Sequence, residues 1–82
     1  MSTILQVDNL NQTTTESDLT DLFNRIGLVL SVSIPVDART GVRGKFGYVS
    51  MTGEGAKAAI QALHGTVYHD RQLSISEKGG SE

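Results

Sequence analysis

Residues 44–51 read Gly44-Lys45-Phe46-Gly47-Tyr48-Val49-Ser50-Met51. From Phe46 onward the side chains alternate. Val49 and Met51 fall on one face and Phe46 and Tyr48 on the other, the period of two that marks a half-buried strand. Gly47, between the rings, keeps the inner side of the strand close to whatever packs on it. The chain has two Phe and two Tyr, so this strand sends half of its Phe and Tyr rings to one side, about 7 Å apart by strand geometry. Two exposed rings among Ser and Gln form a surface on which bases can stack. As a bare pattern, the pair reads equally well as two partly exposed strand formers or as a contact patch for protein.

Working outward, the upstream residues 37–44 hold Asp, Thr and two glycines and read as a loop. Before it, residues 29–36 predict a strand with Val32 and Ile34 inward and Ser31 and Ser33 outward. Pro35 cannot donate to a ladder, so that strand lies at an edge or ends there. Further upstream, Thr15 and Asp18 form a carboxylate variant of a capping box. Leu19, Leu22, Phe23 and Ile26 then repeat at helical spacing, and Gly27 is the expected stop. Residues 3–8 alternate as a first strand, with Leu5 and Val7 inward and Ile4, Gln6 and Asp8 outward. Downstream of Met51, Thr52 can cap a second helix whose stripe is Ala56, Ala59, Ile60 and Leu63, closed at His64-Gly65. Residues 66–68 are a short extended piece, His69-Asp70 a tight turn, and residues 72–76 a last strand with Leu73 and Ile75 inward. Residues 1–78 are read as one domain and the Gly- and Ser-rich residues 79–82 as a flexible tail.

The order β-α-β-β-α-β predicts an α+β, ferredoxin-like sandwich: a four-stranded antiparallel sheet with two helices on one face. The uncovered face then carries Ile4, Gln6, Asp8, Ser31, Ser33, Phe46, Tyr48, Ser50, Gln72, Ser74 and Ser76.

These residues resemble a known family, the RNA recognition motif, over nearly the whole chain. Its octapeptide runs Lys/Arg-Gly-Phe/Tyr-Gly/Ala-Phe-Val-x-Phe/Tyr. Residues 44–51 match its two central aromatics, the Gly between them and the Val. The first two positions are inverted as Gly44-Lys45, and Met51 stands at the final aromatic. The loop Asp37-Ala38-Arg39-Thr40-Gly41 is similar to the family's Asp-x-x-Thr-Gly. The hexapeptide aligns as Leu5-Gln6-Val7-Asp8-Asn9-Leu10, with Gln6 where the family places a stacking Phe or Tyr. Residues 19–27 and 59–65 are similar to its two helices. The resemblance implies single-stranded RNA binding. Tyr48 would stack on a base and Phe46 would pack against sugars. Gln6, Ser74 and Ser76 would meet base edges, and Arg39, Arg43 and Lys45 phosphates. It points to short single-motif bacterial RNA-binding proteins, or equally to one domain of a longer protein.

Composition narrows the remaining classes. With 82 residues the chain makes one domain. It has no Cys, so no disulfide framework or thiolate chemistry exists, which favours a reducing, cytoplasmic setting. The net charge of −2 and pI of about 5.6 exclude binding through a whole-protein positive field. Residues 38–45, however, hold Arg39, Arg43 and Lys45 and no acid. The longest apolar runs fall far short of a membrane span of about 20 residues, and residues 1–5 lack the features of a signal peptide. His64 and His69 without Cys or clustered carboxylates make no metal site. No phosphate-binding loop or nucleophile motif occurs, so neither an enzyme nor a cofactor is expected. The competing expectation is a protein-interaction module or homodimer using the same sheet face. Gln6, Asp8, Met51 and the acidic pI lean that way.

Overall fold

Alternation along β1 and β3 decides which side is buried, and the two helices take that side. The computed structural model describes residues 2–11, 13–36, 38–42 and 44–81, the last three by backbone alone. Among these residues the elements are β1 (Ser2–Asp8), α1 (Glu16–Asn24), β2 (Val29–Ser33), β3 (Gly47–Thr52), α2 (Gly53–Leu63), β4 (Val67–Tyr68), β5 (Arg71–Gln72) and β6 (Ser74–Ser81). Four strands form an antiparallel sheet in the order β2-β3-β1-β6, and β4-β5 is a separate hairpin. Leu5 and Val7 of β1, Val49 and Met51 of β3 and Ile75 of β6 are buried in one core with Leu19 and Phe23 of α1 and Ala56 and Ala59 of α2. This is the ferredoxin-like sandwich that the order of elements predicts.

Local chemistry sets the helix starts. Thr15 is the N-cap of α1: its hydroxyl accepts from the Asp18 N–H at 3.1 Å while the Asp18 carboxylate accepts from the Thr15 N–H at 3.0 Å. Thr52 stands at the N-cap of α2 with extended backbone, but its side chain makes no capping hydrogen bond. Gly27 is not the left-handed stop expected of it. The C-cap is Arg25 in right-handed conformation. The demand at Gly27 is a close approach of the α1–β2 connection to α2, since a Cβ there would sit 2.8 Å from the Gly55 Cα.

The C-terminal quarter departs furthest from expectation. Gln72 does not lie on the main sheet; it pairs with Val67 across the hairpin, and its side chain donates to the Gly65 carbonyl at 3.0 Å. Leu73 continues that small ladder, donating to Thr66 O and accepting from Gly65 N–H, each at 2.8 Å. The chain joins β1 only from Ser74, and then continues beyond the expected boundary at residue 78. Gly79 pairs with Ile4, Gly80 with Thr3 and Ser81 with Ser2. The reason is that β1 starts at Ser2 and offers ladder groups that far, after a register shift beside Ile4 and Leu5. Glu82 lies outside the described residues.

The His69-Asp70 turn forms as expected, with φ of 50° and 65°, the signs a two-residue type I′ loop needs. The hairpin docks on the β1–α1 connection through polar groups. Asn9 Nδ2 donates to Gln72 O and Asn11 Nδ2 to His69 O, each at 2.8 Å, and Thr14 Oγ1 lies 3.0 Å from His69 Nδ1. The His69 ring stacks on Tyr68 at 4.0 Å. Burial, reinforced by the Asp18 charge, raises the Tyr68 phenol above its ordinary pKa. No helix among the described residues is long and apolar enough to cross a membrane.

Candidate nucleic-acid interface

The register of the sheet builds the site. Ser33 of β2 pairs with Tyr48 of β3, Tyr48 with Gln6 of β1, and Gln6 with Ser76 of β6. These four residues form one row across the sheet. Their chain neighbours Gly47, Val49, Leu5, Val7 and Ile75 are buried under the helices, so the row faces away from them. Gly47 is what lets β3 sit this low. A Cβ there would lie 3.0 Å from Ser33 O, 3.1 Å from Ile34 Cγ1 and 3.4 Å from Leu19 Cδ1.

The rings are closer than strand spacing alone predicts. Phe46 and Tyr48 have centroids 5.7 Å apart with planes at 81°, an edge-to-face pair. Both rings are half-buried rather than fully exposed. Phe46 immediately precedes β3, and its side chain turns toward Tyr48. The contact braces each ring against the other.

The polar groups of the row are partly committed. Gln6 Nε2 donates to Asp8 Oδ1 at 2.9 Å, along the exposed face of β1. Asp8 pairs with Ser74 across β6, and Ser74 and Ser76 are exposed. The structure thus brings together Gln6, Tyr48 and Ser76 in one row, Phe46 against Tyr48, and Ser74 one step along beside Asp8. Asp8 was absent from the candidate RNA-binding set; the sequence placed it on the uncovered face and counted it toward a protein-interaction surface. The signal was present, since Asp8 lies two residues from Gln6 on the same strand face, within side-chain reach.

The basic loop stands at one end of the face rather than in the row. It is closed by the Gly44 N–H donating to Pro35 O at 2.8 Å. Arg39 lies exposed in the turn at residues 38–40, and Lys45 lies exposed beside Phe46. The Lys45 carbonyl accepts from the Leu10 N–H at 2.6 Å, which ties the end of this loop to the end of β1. Asp37 and Arg43 lie outside the described residues.

Comparison with known proteins places this geometry. A family model described as the RNA recognition motif matches residues 5–74. The chain is similar to a Nostoc sp. protein named "Putative RNA-binding protein RbpE", 43% identical over 75 residues that cover 89% of this chain and 75% of that one. A Synechocystis sp. protein of the same description, RbpA, is 35% identical over 89% of this chain and 73% of its own length. Among solved structures, that of RNA binding protein PG1 superposes with a TM-score of 0.91 at 32% identity, covering 98% of each chain.

Proposed function

The chain belongs to the RNA recognition motif family, and from that premise we propose that it binds single-stranded RNA on the open face of its sheet. The observation that carries this reading is the edge-to-face pair of Phe46 and Tyr48 on a helix-free face, in register with Gln6 and Ser76. The naming of its relatives as RNA-binding proteins over most of the chain supports it. Tyr48 stacks on one base and Phe46 packs against the sugars beside it. Ser74 and Ser76 hydrogen-bond base edges, and Arg39, Arg43 and Lys45 meet phosphates. Single strands are the target because stacking needs bases freed from a duplex.

Magnitudes decide the affinity. Base stacking on an aromatic ring contributes about 1–3 kcal/mol. One or two rings therefore give a few kcal/mol before ordering costs, and about −4 kcal/mol corresponds to millimolar binding. With two or three phosphate contacts added, the affinity is micromolar or weaker. Fluorescence anisotropy with a labelled single-stranded RNA, at fixed low salt, tests this. Tyr48→Ala is expected to weaken binding by about fivefold or more while the thermal melt changes little. Unchanged affinity in Tyr48→Ala would refute stacking. If the protein instead forms a dimer that masks Tyr48 in sedimentation without RNA, the face is a protein contact.

A further inference from the structure

Beside Tyr48, the exposed side of β1 carries a coupled amide and carboxylate. The Gln6 amide turns its NH2 toward Asp8 Oδ1 at 2.9 Å, because a carboxylate accepts and the amide oxygen would repel it. Gln6 Oε1 must then face away from Asp8. A carboxylate has about four acceptor sites, and Gln6 uses one. What remains open beside the ring is rich in acceptors: the other Asp8 oxygen and Gln6 Oε1. Gln6 lies directly opposite Tyr48, and Asp8 is its diagonal neighbour, about 7–8 Å away in a sheet of this kind. A purine lying on Tyr48 spans that distance.

The four bases differ in what they turn toward such a carboxylate. Guanine presents two adjacent donors, N1–H and N2–H, on its Watson–Crick edge. Uracil presents one donor between two carbonyls. Cytosine and adenine each present an amine next to an acceptor ring nitrogen. Guanine alone gives the carboxylate two parallel donors without setting an acceptor against it. We propose that Asp8, oriented by Gln6, is a specificity-determining residue that selects guanine for the nucleotide stacked on Tyr48. This rests on the RNA-binding reading of the same face. The carboxylate also repels phosphate, so it weakens binding of the other three bases.

The test uses four single-stranded pentanucleotides, U-U-N-U-U with N each of the four bases, titrated by amide NMR at one salt concentration. A good bidentate base contact discriminates by about 1–3 kcal/mol, which is fivefold or more in affinity. The guanine oligomer is expected to bind at least about fivefold tighter than the others, with shifts at Asp8 and Tyr48. In Asp8→Ala the guanine preference is expected to fall below about twofold while the other three oligomers bind as well or better. Asp8→Asn, which keeps shape and the strand, is expected to behave likewise. Equal binding of all four oligomers, a different preferred base, or a guanine preference that survives in both variants overturns the inference while the RNA-binding reading stands. Binding of none of them overturns both.

Discussion

Gly47 is the residue on which the site's geometry turns. An added methyl group would press on Ser33 O at 3.0 Å and Ile34 Cγ1 at 3.1 Å. Gly47→Ala is therefore expected to cost about 1–3 kcal/mol, read as a lower urea midpoint with unchanged slope. Its role was legible because the residues on both sides alternate and fix which way it faces. Gly27 was misread. Its partner is Gly55, twenty-eight residues away, and a helix end followed by glycine gives no sign of a contact so distant in sequence. Gln6 invites the opposite experiment. Gln6→Phe puts a third ring directly across from Tyr48 and is expected to tighten single-strand binding by about 1–3 kcal/mol. It also removes the hydrogen bond to Asp8, so guanine selectivity is expected to fall as affinity rises.

At the scale of elements, the β4-β5 hairpin and the strand after it were only half legible. The turn at His69-Asp70 could be read from residue chemistry. The break at Leu73 could not, because residues 72–76 alternate without interruption whichever neighbour they pair with. Period two reports the face of a strand and not its partner. Leu73 pairs back to residues 65 and 66, and Ile75 then donates its N–H to His64 Nδ1 at 2.9 Å. His64 thereby covers a donor on the edge strand β6, where an open edge invites unwanted pairing. His64→Leu is expected to cost about 0.5–1.5 kcal/mol, the net worth of one hydrogen bond, with the loss seen as faster amide exchange at Ile75. The hairpin has its own pH signature. The folded pKa of Tyr68 is raised from 10.0, so its contribution to stability is complete below that value and is lost as pH rises through the folded pKa. Tyr68→Phe is expected to flatten the alkaline fall in stability, compared by urea unfolding at about pH 8 and about pH 11.

For the molecule as a whole, charge and architecture assign different jobs to its two sides. The exposed acids Glu16 and Asp21 sit on α1, behind the sheet, while Arg39 and Lys45 border the open face. The net charge of −2 leaves no long-range field to pull in RNA. The salt dependence should be shallow, with a log–log slope between about −1.4 and about −2.1 for two or three phosphate contacts on a single strand. A much steeper slope would mean that more cations take part than this face presents. The fold class was legible from the order of elements and their one-sided stripes. The interlocking of Gln6 with Asp8 and the leaning of Phe46 onto Tyr48 were not, because both depend on side-chain torsions that a strand pattern leaves free. The central claim, that the open sheet face is an RNA platform, is tested most directly by an amide NMR titration with a degenerate short single-stranded RNA, the wild type beside the Phe46→Ala/Tyr48→Ala double variant. A platform predicts shifts concentrated at Gln6, Asp8, Tyr48, Ser74 and Ser76, lost in a double variant that remains folded. Shifts confined to the helices, or none at about millimolar RNA in low salt, would contradict it.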